Sequence, residues 1–185
     1  MKKITILLTT AALSTTVFIT AARADSYNYS PYIGADYVFN RTNTYGVHPQ
    51  HHALGIHIGS DYSKYFGTEL FINQSNQNKT SYQTGKLTTS YYSYGLDILA
   101  FLPLGTSEKF ALAATAGFGE YAYKTKINPT NRHREHGYGY RFGGGARYAF
   151  DRHWHTRMLC RYVNFDQLRE YDHDMEYSLS IEYHF

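Results

Sequence analysis

Residues Tyr177–Phe185 read YSLSIEYHF, and every second position separates them into two sets. Tyr177, Leu179, Ile181, Tyr183 and Phe185 are apolar or aromatic, whereas Ser178, Ser180, Glu182 and His184 are polar. A period of two is the mark of a β-strand with unlike faces. A fully apolar face on a closing segment raises the question of what covers it. Hydrocarbon would, because a membrane-spanning strand needs only ~9–11 residues with one lipid-facing side. Lipid offers no partner to a bare strand edge, so such a sheet must close on itself. The last strand is therefore expected to pair with the first, with Tyr183 and Phe185 near the periplasmic interface.

The other end of the chain points to export. Lys2 and Lys3 precede ITILLTTAALSTTVFITA, and Ala22–Arg23–Ala24 follows. A basic start, an apolar stretch and a small-x-small site read as a secretory signal peptide, cleaved between Ala24 and Asp25. The threonine-rich core is weakly hydrophobic for a spanning helix, which needs ~20 apolar residues. The expected organisation is thus a signal peptide over 1–24 and one domain over 25–185. Lys2, Lys3 and Arg23 account for the whole excess of 18 Lys and Arg over 15 Asp and Glu, leaving the mature chain formally neutral. With no basic cluster on one element, nucleic acid is not an expected partner. Cys160 is the only cysteine, so no intramolecular disulfide can form. Twenty Tyr, eleven Phe and fifteen Gly in alternating segments suit a β-barrel.

Seven further segments alternate in the same way. They lie near 31–40, 53–60, 65–74, 89–102, 109–121, 137–149 and 154–165. The clearest sets Tyr92, Tyr94, Leu96, Ile98, Ala100 and Leu102 against Tyr91, Ser93, Gly95, Asp97 and Leu99. The connections alternate between long (41–52, 75–88, 122–136, 166–173) and short (DYSK, PLGTSE, FDRH). Even strand number with long and short ends is the outer-membrane pattern. The expected fold is all-β: an eight-stranded antiparallel up-and-down transmembrane β-barrel with short periplasmic turns and four longer extracellular loops.

YFGTEL after a short turn, YRFGGGARYAF and the terminal IEYHF together resemble the small outer-membrane β-barrels of the OmpA-like and opacity-protein type. The resemblance covers the mature chain. It implies location in the Gram-negative outer membrane, with loops at the cell surface, and partners in outer-membrane lipid and lipopolysaccharide. It also implies that Tyr183 and Phe185 form the terminal signal taken up by the barrel-assembly machinery. Full-length OmpA-like proteins carry a periplasmic peptidoglycan-binding domain; with the sequence ending at Phe185, none is expected here.

The inward phase collects Asp36, Glu69, Asp97 and Glu182 against Arg141, Arg147, Arg157 and Arg161. An eight-stranded barrel is just wide enough to be filled by its own side chains, so these charges are expected to form an ionic plug rather than line a channel. His48, His51, His52, His133, His136 and His173 fall in the long connections, with no H-x₃₋₅-H pair on one regular element, and read as solvated. No metal or other cofactor is expected. Barrel enzymes that deacylate lipid A carry a His-x-Ser pair, and no histidine here is followed two positions later by serine. Cys160 lies on the lipid-facing phase beside Met158 and Tyr162. A surface-interaction protein is therefore expected, with a narrow channel and a lipid-modifying enzyme as alternatives. Contacts with a host, matrix or lipopolysaccharide ligand would fall to the long connections, through Tyr45, His52, Asn76, Tyr82, Tyr123, Arg169 and Tyr171 among others. The basic KTKINPTNRHREH, with Lys124, Lys126, Arg132 and Arg134, is the first candidate for an anionic partner.

Overall fold

The computed structural model describes residues 29–43, 50–82, 85–127, 131–166, 168 and 173–185, and nearly all of these lie in strands. The strands are β1 (Ser30–Asn43), β2 (Gln50–Ser63), β3 (Phe66–Ser75), β4 (Asn78–Tyr82), β5 (Gly85–Leu104), β6 (Phe110–Ile127), β7 (Asn131–Ala149), β8 (Trp154–Asp166) and β9 (His173–His184). β3 and β4 are two parts of one stave, interrupted at Asn76 and Gln77, and both pair with β5. The barrel thus has eight staves, all antiparallel. β9 closes it against β1, in register from Tyr32↔His184 to Asn43↔His173.

Each stave keeps the alternation read from its sequence. Ile33, Leu54, Ile56, Ile98, Phe118, Met158 and Leu179 face outward, whereas Val38, His57, Glu69, Asp97, Arg141 and Glu182 are buried inside. Leu54 is 68% and Met158 63% exposed, as part of an apolar belt around the wall. Such a belt would drive aggregation in water and is satisfied by hydrocarbon.

The short turns share one end. Lys64 Nζ meets Glu108 Oε1 at 2.7 Å, tying the β2–β3 turn to the β5–β6 turn. Gly105 takes φ +74°, a left-handed conformation that glycine adopts without steric cost. In the β7–β8 turn, Asp151 Oδ1 accepts the backbone N–H groups of His153 and Trp154, both at 2.8 Å. Those two donors hold its carboxyl below the usual carboxylate pKa. With the folded pKa lowered, this capping is fully present above the ordinary carboxylate range and fades as pH falls through the lowered value. Urea unfolding of wild type and Asp151→Ala should therefore differ slightly at neutral pH and converge in acid. A gap that widens in acid would contradict this assignment.

The opposite ends are more regular than their composition suggests. β1 continues to Asn43 and β2 begins at Gln50. β5, β6 and β7 stay paired out to Leu87↔Ile127 and Ile127↔Asn131. Most of the expected loop at 122–136 is therefore a β6–β7 hairpin, with β5 paired along the other edge of β6. A hairpin satisfies its own backbone groups, so its strands continue where the apolar pattern stops.

Candidate functional site

Charged side chains fill the barrel from the short-turn end upward. Lowest, Arg147 Nη1 donates to Asp61 Oδ2 at 2.5 Å, its guanidinium 3.6 Å from the Phe101 ring centroid. Above it, Arg157 reaches Glu69 at 2.5 Å and Glu182 at 3.0 Å. His57 bridges Asp36 at 2.6 Å and Glu182 at 3.6 Å, and the Tyr32 hydroxyl donates to Glu69 at 3.1 Å. Higher still, Arg141 forks onto both oxygens of Asp97, with Nε to Oδ1 at 2.7 Å. It also meets Glu176 at 3.4 Å and lies over the Phe71 ring at 3.5 Å. Arg161 pairs with Glu176 and lies 3.5 Å from Asp97.

An apolar layer covers this network toward the long arms. Val38, Ala53, Tyr91, Tyr121, Tyr123, Val163 and Leu168 form one cluster, with Phe165 packed against it. His51 is buried there, edge-on to Tyr91 at 5.7 Å. This differs from the solvated positions read for His51 and Tyr123. Both are on the inward phase of strands that run longer than the sequence pattern indicates. His52, the next residue, is exposed and bonds the Tyr37 hydroxyl at 2.6 Å. His136 is exposed near Glu120, and His173 stacks on Tyr162.

The structure brings Asp36, Glu69, Arg157 and Glu182 together around His57, gathers Asp97, Arg141 and Arg161 with Glu176 in a second cluster above, and places Arg147 below both with Asp61. Asp61, Glu176 and His57 are members that sequence reasoning left out. Asp61 and Glu176 continue the inward phase one step past the strand ends that the alternation indicates. His57 lies on the inward phase, and its two carboxylate partners come from other strands that sequence spacing does not connect.

On the outer arm, Lys124 stands directly opposite Arg134 in the β6–β7 ladder, both exposed. Lys126 stands opposite Arg132 two steps on; their side chains lie outside the described residues. Like charges directly opposite in a ladder destabilise it, opposite pairs being worth roughly 0.2–1 kcal/mol. At the short-turn end Tyr183 lies between Trp154 and Phe185, with ring centroids 5.1 and 5.5 Å away. Ala24 and Asp25, together with Tyr45, His48, Arg169 and Tyr171, fall outside the described residues. Cys160 is exposed on the outer wall.

The model of the outer membrane protein beta-barrel domain matches residues 10–185. The chain belongs to this family. It is an outer-membrane protein of Gram-negative type, with its short turns on the periplasmic side. Solved family-like barrels share its fold at low identity. Neisserial surface protein A superposes with TM-score 0.70 at 13% identity, covering 85% of this chain and 99% of that one. Ail, the attachment invasion locus protein of Yersinia pestis, gives TM-score 0.62 at 13% identity, covering 85% and 99%. The outer membrane protein OprG of Pseudomonas aeruginosa gives 0.58 at 13%, covering 85% and 95%. No curated protein shows detectable sequence similarity to the chain.

Proposed function

We propose that this barrel is a filled, non-catalytic pedestal that presents a cationic hairpin to an anionic glycan, either a sulfated host or matrix polysaccharide or the phosphorylated sugars of lipopolysaccharide. The observation that carries this is the exposed Lys124–Arg134 pair, continued in register by Lys126 and Arg132. A ladder of same-sign pairs costs stability, and a polyanion lying along it would remove that cost. The ionic and aromatic filling of the interior supports the pedestal over a narrow channel. The Ail structure was determined with the heparin analogue sucrose octasulfate, which supports sulfated ligands for a barrel of this shape.

The test is binding of the protein in liposomes to immobilised heparin. Changing Lys124, Lys126, Arg132 and Arg134 to Gln should weaken binding by about a hundredfold or more, since each cation near an anionic surface contributes roughly 1 kcal/mol. It should also flatten the salt dependence while leaving insertion intact. Equal binding by the inserted variant would remove the hairpin from the account.

Assembly is a separate expectation. Tyr183 and Phe185 are proposed to engage the barrel-assembly machinery, and their outer aromatic cluster with Trp154 supports an interfacial position. Tyr183→Ser with Phe185→Ser should sharply reduce the outer-membrane fraction in cells while detergent refolding in vitro is largely kept. Normal insertion in cells would reduce the pair to interface anchors.

A further inference from the structure

We propose that His155, Glu182 and His184 form a binding site for a divalent transition metal at the periplasmic mouth, of the zinc, nickel or copper type. The three converge by strand geometry alone. His155 is the cross-strand partner of Glu182 in the β8–β9 ladder, and His184 follows Glu182 by two residues on the same face. One ligand atom from each lies within 4.8 Å of the others. The imidazole rings of His155 and His184 are 3.9 Å apart between centroids.

The two imidazole donor atoms are free to act as ligands, whereas the Glu182 carboxylate is shared with Arg157 and His57. Nδ1 of His155 and Nε2 of His184 are both buried without a hydrogen-bond partner. His184 and Glu182 are at most 2% exposed. Arg157 approaches Glu182 Oε1 at 3.0 Å, while Oε2 faces His184 Nε2 at 3.6 Å. Two ligand atoms of a tetrahedral ion with bonds of ~2.0–2.1 Å lie roughly 3.3 Å apart, so this pair needs little adjustment. Completing the triad requires turning the His155 ring, which is only half-buried and lies toward the open end.

The surroundings fit a cation. Ser30 Oγ is 3.1 Å from His184 Nδ1. With Nδ1–H donated to that hydroxyl, the lone pair of Nε2 points at Glu182, which is the outer-shell support that metal-bound imidazoles usually have. Among the described residues, the interior holds seven carboxylates (Asp36, Asp61, Glu69, Asp97, Asp174, Glu176, Glu182) against four guanidiniums and the His57 imidazole, so a dication offsets a formal surplus of negative charge. Nitrogen and carboxylate donors in this ratio favour zinc, nickel or copper over calcium or magnesium. A bound ion would link β8 to the closing strand β9.

The experiment is a zinc titration by calorimetry of the refolded, tag-free protein in detergent micelles. One saturable site is expected. His155→Ala and His184→Ala should each weaken it by at least about a hundredfold, and Ser30→Ala by about the 10–100-fold typical of a lost outer-shell partner. His136→Ala and His52→Ala should leave it unchanged. Imidazole NMR of the unmutated protein gives an independent reading, with zinc moving the His155 and His184 resonances and not those of His52. The proposal is overturned if zinc shows no saturable binding, if folded His155→Ala/His184→Ala protein binds equally well, or if the shifts fall on other histidines.

Discussion

Arg141→Met should destabilise the barrel by about 3–5 kcal/mol, the usual cost of removing one partner from a buried ion pair. Asp97 loses both arms of its fork and Glu176 loses a contact at 3.4 Å. Arg161 alone then faces two buried carboxylates. Adding Asp97→Leu should recover most of the loss, because it leaves Arg161 balanced by Glu176 and replaces the deleted pair with apolar volume. Equilibrium urea unfolding of the refolded protein measures both variants. A loss below about 1 kcal/mol in Arg141→Met would mean that these charges are hydrated rather than mutually satisfied.

Gly145→Val should abolish folding. A Cβ built at Gly145 would lie 1.8 Å from the backbone carbonyl oxygen of Met158 on the neighbouring strand, and one at Gly143 would lie 2.0 Å from that of Cys160. No rotamer relieves a clash with backbone, so β7 would have to leave β8. Gly144, between them, has only the Ala113 oxygen at 3.2 Å, and Gly144→Ala should need a shift of a few tenths of an ångström. Heat-modifiable migration on gels reads the outcome: present in Gly144→Ala and absent in Gly145→Val. A folded Gly145→Val barrel would contradict the close approach of β7 and β8.

The wall was legible because membrane and interior impose opposite chemistry on successive residues, and a shift of one residue would turn every side chain to the wrong side. That pressure ends where the strands leave the bilayer, so strand ends were not legible. Tyr123 and His51 therefore read as surface residues, and Asp61 and Glu176 dropped out of the interior. The interruption at Asn76 and Gln77 and the short β4 beyond it fall in the stretch 75–88, which the apolar pattern reads as a connection. His155, Glu182 and His184 do not have the H-x₃₋₅-H spacing by which ligand pairs are legible in a sequence. On a strand, same-face ligands stand two apart, and a partner across the ladder is fixed by register, which sequence spacing does not reveal.

We infer a barrel closed to ions, with its activity on the outer arms. Single-channel recording of the refolded protein in planar bilayers tests it most directly. The filled interior, with its tiers of guanidinium–carboxylate pairs beneath Tyr91, Tyr121 and Tyr123, predicts membranes that stay at baseline conductance after verified insertion. Reproducible ohmic steps from inserted, folded protein would contradict it and make the interior a pore.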